Sequence, residues 1–454
     1  MTDSRLYRTI WRWHFYAGMI VAPFLLILAV TGATYLFGHE LNDALSPDLH
    51  LVAPAARPLP PSTLILAALS AVPGVATRID MPAEANRPAQ VHVRPPSGEP
   101  RRVMVDPGTG RVLGSFVYAD TLVGFAEGVH GSLMLGERGD AVVELAACWA
   151  LMLIATGLFL WWPRGRTSLG GILWPRLTAR GRLFWRDLHA VTGVWTIALI
   201  AFLLLTGLPW AVIEGPLVRG TVTWLGIGNE AAGFGAMLPQ SKSMGEALGR
   251  VPWSQQALSM PTSDPSHAEH GGDHATLVTG DAAAIVGADR IAASAQARGI
   301  ASGYRLSLPF GPRGVYTVVR SPDQPEGQRT LHFDRWTGAL IGENGWARYG
   351  IGARAIELGV QIHMGRYFGL ANKLLMLVPC IAIVVLVVTG AVMWWRRRPK
   401  GTLGAPPSVS GARLRSAITI LIVCGIVMPL FGASLIVLAL ADRIAITIRR
   451  RAMA

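Results

Sequence analysis

Four histidines recur at matched positions along the chain. Imidazole is the side chain that both ligates metals and exchanges protons near neutrality. In the first half, His14 stands in W-H-F-Y-A-G and Thr31-Gly32 follows 17 residues later; in the second half, His189 stands in L-H-A-V-T-G and Thr206-Gly207 follows 17 residues later. His130, in V-H-G-S-L-M-L-G, precedes Thr156-Gly157 by 26 residues, and His363, in I-H-M-G-R-Y-F-G, precedes Thr389-Gly390 by 26. Trp161-Trp162 and Trp394-Trp395 close the two halves. The chain is one unit written twice, and each copy carries two histidines.

Two facing imidazoles suit bis-histidine ligation of haem iron, and helix-bundle cores are a usual place for cofactors. The expectation is two b-type haems, with His14 and His189 at one and His130 and His363 at the other. Gly18 and Gly193 lie four residues after their histidines, on the same helical face, where a flat porphyrin could approach the backbone. Arg12, Arg186 and Arg366 lie two or three residues from the histidines, and guanidinium groups suit carboxylate propionates. Blander readings stay open: packed, hydrogen-bonded histidines, and ordinary interfacial arginines. A zinc site fits less well, since the pairs lack visible third and fourth protein ligands.

The elements that must position these residues are apolar. Of 454 residues, 51% are hydrophobic and 15% charged, with mean hydropathy +0.39. Soluble domains carry about 25% charged residues. Runs near 12–38, 141–162, 184–212, 368–395 and 414–441 reach the roughly 20 residues that cross a bilayer. The fold class is therefore a membrane α-helical bundle of about five transmembrane helices with internal duplication. Pro429 either kinks the last span or splits it into two shorter passes. The first span follows Arg5, Arg8 and Arg12, is too long for a signal-peptide core and reads as a retained anchor.

The net charge is +13. It reflects arginines beside the apolar runs, and no nucleic-acid motif accompanies it. Arg164, Arg166, Arg176, Arg180 and Arg182 mark one loop as cytoplasmic, and Arg396, Arg397, Arg398, Lys400 and Arg413 mark another. The N-terminus is then cytoplasmic and the large loops lie outside. Arg449, Arg450 and Arg451 conflict with the outside C-terminus that five spans require. His14 and His189 fall at the cytoplasmic ends of their spans, and His130 and His363 at the outer face. Twenty-five helical residues cover about 37 Å, too far for one electron jump, and a centre near each face divides that distance. The tryptophans read as interfacial belts or core.

The outer segments each read as a small α+β module. In the first, 62–72 reads as a helix, 89–94 and 101–105 alternate as strands, and 105–114 is a hairpin turn. In the second, the helix lies near 287–298 and strands near 303–308 and 314–320. Asp106–Gly110 and Asp334–Gly338 match as D-x-x-T-G. The domain plan is 1–40, first span; 41–128, outer module 1; 129–212, outer histidine segment with spans 2 and 3; 213–360, outer module 2; 361–400, outer histidine segment with span 4; 401–454, loop, span 5 and tail. His267, His270 and His274 form a loose metal-binding tract in a loop. His39, His50, His92 and His332 read as surface or local packing residues. Cys148, Cys380 and Cys424 lie in apolar runs and read as core. No Gly-rich dinucleotide loop with its acidic partner is present, nor a G-x-S-x-G or H-E-x-x-H motif.

The motifs WHFYAG, LHAVTGVW, VHGSLMLG and IHMGRYFG, with the T-G and W-W endings, resemble the PepSY-associated transmembrane family over residues 5 to 442. Within it the chain is most similar to inner-membrane ferrisiderophore reductases of the ferrioxamine type. The resemblance implies PepSY folds in the periplasm, b-type haems in the membrane, and periplasmic reduction of ferric siderophores to release Fe(II). It implies a bacterial inner-membrane location. The absent flavin domain implies quinol or a separate cytoplasmic reductase as donor. Two rival readings are a non-enzymatic anchor whose outer modules bind a peptide or protease, and a metal-ion handling protein using the 267–274 tract. For the last, Glu144, Asp187, Glu214 and Asp442 are the acidic residues in or beside the spans.

Overall fold

The computed structural model describes residues 4–55, 57–164, 169–229, 242–268, 282–406 and 415–453. In chain order the elements are α1 (Ser4–Leu36), α2 (Gly38–Leu45), α3 (Pro47–His50), α4 (Pro61–Ala71), β1 (Val75–Met81), β2 (Ala89–Arg94), β3 (Arg101–Val105) and β4 (Val112–Phe116). There follow α5 (Leu122–Ser132), α6 (Glu137–Trp161), α7 (Arg182–Gly207), α8 (Glu214–Trp224), α9 (Met244–Leu248) and α10 (Ala282–Ala297). The chain closes with β5 (Tyr304–Ser307), β6 (Val315–Arg320), β7 (Arg329–Asp334), β8 (Leu340–Gly345), α11 (Ile351–His363), α12 (Leu370–Arg397), α13 (Arg415–Val427) and α14 (Pro429–Met453). It forms two compact units: a helical one of Met1–Leu36, Ala126–Gly220 and His363–Ala454, and a sheet unit of Phe37–Phe125 and Thr221–Ile362.

In the helical unit, four helices are long and apolar enough to cross a membrane: α1, α6, α7 and α12. They close a ring, α1 packing on α6 and α12, and α7 on α6 and α12. Ala29, Ile200, Cys380, Ala382 and Ile383 fill its centre. Cys148 and Cys380 are buried and all three cysteines are free. Small residues at the centre let helix backbones approach where lipid offers no hydrophobic drive.

The expected fifth span is instead two helices. Pro429 has no N–H to give the carbonyl four residues back, so the helix ends at Val427. α14 folds back on α13, and a methyl on Gly425 would stand 2.9 Å from the Gly432 Cα. The tip, Met428 and Phe431, clusters with Cys148 and Trp149 of α6 and with Leu208 at the end of α7. Trp149 Nε1 donates to Ser434 Oγ at 3.1 Å. α14 also packs on α6.

In the sheet unit the two expected modules share one sheet. Eight antiparallel strands run in the order β4-β3-β2-β1-β5-β6-β7-β8. The halves join where β1 pairs with β5, Ile79 opposite Leu306. This pairing satisfies two strand edges that separate modules would leave open. Residues of alternating burial on β2, such as Val91 and Val93, meet Leu64, Ile65 and Ala68 of α4 and Ala288 and Ile291 of α10 in one core. Asp289 of α10 accepts from the Ser62 N–H and hydroxyl, tying the two helices together. The D-x-x-T-G segments form matched turns. Asp106 accepts from Gly108 N and Thr109 Oγ1, Asp334 from Trp336 N and Thr337 Oγ1, and Gly110 and Gly338 take φ of +74° and +69°.

Candidate functional site

The four histidines lie at two levels of the helical bundle. His14 of α1 and His189 of α7 face one another with ring centres 6.5 Å apart and planes at 88°. At the other end, His130 near the end of α5 and His363 at the end of α11 lie within electrostatic range of each other. His14 and Thr31 bracket the bundle along α1, as His189 and Thr206 do along α7. Seventeen residues of helix set the levels about 26 Å apart.

Each histidine is held by the threonine of a T-G pair on another helix. Nδ1 of His14 meets Thr156 Oγ1 at 2.9 Å, and Nδ1 of His130 meets Thr31 Oγ1 at 3.1 Å. Nδ1 of His189 meets Thr389 Oγ1 at 2.9 Å, and Nδ1 of His363 meets Thr206 Oγ1 at 2.8 Å. Every one of these hydroxyls also donates to the carbonyl four residues back in its own helix, at 2.6 to 2.7 Å. A hydroxyl has one proton. With that proton given to the helix, the oxygen can only accept, so Nδ1 carries the ring's hydrogen. Backbone carbonyls, which also only accept, stand beside three of the rings: Leu386 at 3.1 Å from His189 Nδ1, Leu28 near His130 and Leu203 near His363. The neutral ring then keeps its lone pair on Nε2. That is the tautomer of a metal-ligating histidine oriented by an outer hydrogen bond.

The glycine of each T-G pair makes room for the ring. A Cβ on Gly32 would lie 3.1 Å from His130 Cε1, and one on Gly157 3.3 Å from His14 Cε1. At Gly207 and Gly390 the same distances to His363 and His189 are 3.9 and 3.7 Å. Gly18 and Gly193, singled out from the sequence, face Leu153 and Leu386 instead, where a Cβ would meet ordinary contact. The threonines and their glycines are the residues that reasoning from sequence left without a role. Their fixed spacing from the histidines was the available signal.

The three arginines have protein partners. Arg12 Nη1 donates to the Pro406 carbonyl at 2.9 Å, Arg366 Nη2 to Tyr35 OH at 3.3 Å, and Arg186 Nη2 pairs with Asp187 at 2.7 Å. Asp187 also takes Arg176 at 2.7 Å, pinning the loop before α7 to that helix. Glu144 accepts from the N–H groups of Ile213 and Glu214, so it serves the first turn of α8. Among the described residues no three of His, Cys, Asp and Glu converge on one metal position. His270 and His274 lie outside the described residues, as does Arg166; His267 sits in a short turn at Pro265–Ala268. His39 is exposed, His50 lies beside Phe116, and His332 is buried with Nδ1 on Thr317 Oγ1.

Residues 11–397 match the PepSY-associated TM region. The chain belongs to this PepSY-associated transmembrane family. The match runs from just before His14 to the end of α12, so it spans all four histidines and their threonines. No curated protein matches the chain. Family membership accords with four membrane-crossing helices around a shared centre.

Proposed function

We propose that the protein is a dihaem oxidoreductase that carries electrons across the membrane and reduces a ferric siderophore. The observation that carries this reading is the His14–His189 pair. An imidazole nitrogen sits about 2 Å from a first-row metal, and about 1.1 Å separates that nitrogen from the ring centre. Two imidazoles that held one metal between them would have ring centres roughly 6.3 Å apart. The rings stand 6.5 Å apart. Threonine oxygens hold both Nδ1 atoms, which leaves Nε2 of each ring as the donor atom.

His14 and His189 would hold one b-type haem, and His130 and His363 the other. Haem, when bound, supplies a one-electron iron centre whose potential the protein tunes by ligation and burial. The threonines keep a proton on Nδ1 and off Nε2. The glycines beside them let the rings lie close to the neighbouring helices. The apolar residues at the bundle centre exclude water between the two levels. With the arginine-rich loops read as cytoplasmic, the donor would be quinol or a separate reductase acting from that side. The ferric chelate is then reduced on the periplasmic side of the inner membrane. Each Fe(III) takes one electron and leaves as Fe(II), which the chelator holds less tightly.

Absorption spectroscopy with a haem-to-protein ratio tests the reading. About two b-type haems per chain are expected, with about one remaining in His14→Ala and in His363→Ala. Colourless protein from haem-replete cells, or full spectra in both variants, would sink it.

A further inference from the structure

The helical bundle holds buried carboxyl groups without counter-ions. Glu137, Asp140, Glu144 and Cys148 follow helical spacing on one face of α6, and they recede from exposed Glu137 through half-buried Asp140 to buried Glu144 and Cys148. Glu144 is 1% exposed, and Glu214, which opens α8, is 6% exposed. The Glu144 carboxylate accepts from the Ile213 and Glu214 N–H groups, so the start of α8 rests on it. One turn further along α6, Cys148 is within electrostatic range of both glutamates. Cys148 in turn clusters with Met428 and Phe431 of the hairpin tip, which bring no charge.

Glu214 differs from Glu144 in having nothing to hold its charge. Its Oε1 is buried and meets no hydrogen-bond partner. Among the described residues no ion pair reaches Asp140, Glu144 or Glu214. Arg219, five residues on along α8, does not neutralise Glu214: burial, and then the charge of Glu144, push that carboxyl up. A buried carboxylate without a counter-charge favours taking a proton, and negative charge arriving nearby strengthens the preference. The carboxyls also stand near the depth of the second histidine pair. His14 meets Thr156 and Gly18 faces Leu153, so α6 runs antiparallel to α1. Going back along α6 from Thr156, Glu144 lies about 18 Å away and Asp140 about 24 Å. The His130–His363 level lies about 26 Å from the His14–His189 level.

We propose that Glu214 is a redox-linked proton site: it takes one proton as iron held by His130 and His363 gains an electron, and returns it as that electron passes to the ferric chelate. The proton forms one O–H bond on a carboxylate oxygen while Fe(III) becomes Fe(II), and both changes reverse together. The net charge of the bundle is then the same before and after each electron. Glu137 and Asp140 offer the proton its route from water. The inference rests on the dihaem reading, in which quinol or a separate reductase supplies the electron.

Spectroelectrochemistry of the purified full chain carrying His14→Ala, which keeps only the His130–His363 pair, tests it. One proton coupled to one electron is a tenfold change per pH unit, or about 59 mV, so the midpoint potential should fall by up to about 59 mV per unit as pH rises through neutrality. Glu214→Gln should remove most of that slope and leave the haem spectrum unchanged. The wild-type chain gives a check that needs no variant: its reduced-minus-oxidised infrared spectrum should gain a protonated-carboxyl band that shifts in heavy water. Three results overturn the proposal and leave the haem reading standing: a potential indifferent to pH, a slope that survives Glu214→Gln and so belongs to haem propionates or other carboxyls, and a wild-type difference spectrum without the carboxyl band. Protein that binds no haem overturns both.

Discussion

At each of the four histidines a threonine hydroxyl meets Nδ1. The threonine proton is spent on its own helix, so the oxygen faces the imidazole only as an acceptor. That fixes the tautomer with a neutral partner in place of a carboxylate, whose burial beside the ring would be costly. Thr156→Val keeps the shape and removes the hydroxyl acceptor of His14 Nδ1. Loss of such an outer partner typically costs about 10–100-fold in metal affinity, so haem titration of the stripped variant should show a loss of that order, and Thr156→Ser should restore it. Wild-type affinity in Thr156→Val would mean that the hydroxyl does not set the ring.

The C-terminal hairpin bears on the arginines that five spans left unexplained. Its tip lies level with Trp149, 12 residues before the end of α6, or about 18 Å. The 13 residues of α13 cover about 20 Å, so an arm running alongside α6 would bring Arg415 level with the end of α6. With α14 returning along the same path, the C-terminal arginines are expected on the side of the arginine-rich loops, as the retention of positive charge requires. Tags at the N- and C-termini should react with an impermeant reagent from the same side of the membrane. Labelling from opposite sides would restore a fifth full span.

At the scale of the molecule, acid acts on the sheet unit. His332 is buried on β7, and burial pushes its imidazole down to about 3. In the unfolded chain a histidine takes its proton near pH 6.5. Below that pH the unfolded state binds the extra proton and the folded state does not, so stability falls as pH drops from about 6.5 toward 3. Asp80, held at about 2, withdraws its own contribution later, from about pH 4 downward. Hydrogen exchange in β6 and β7 should therefore quicken between pH 7 and pH 5 after correction for the intrinsic rate. His332→Gln should flatten that trend; an unchanged slope would place the acid-sensitive group elsewhere.

The sequence by itself determined the duplication, four of the membrane-crossing helices, the four histidines and the strands at 89–94 and 101–105. Those features are periodic and local: apolar runs of fixed length, alternation of two, and residue spacings repeated in both halves. Tertiary structure decided what spacing could not. It set Thr31, Thr156, Thr206 and Thr389 against imidazoles on other helices, fused two modules through β1 and β5, and turned one apolar run into a hairpin at Pro429. Each of these is a pairing between residues far apart along the chain, and a single sequence carries no direct record of which distant partners meet.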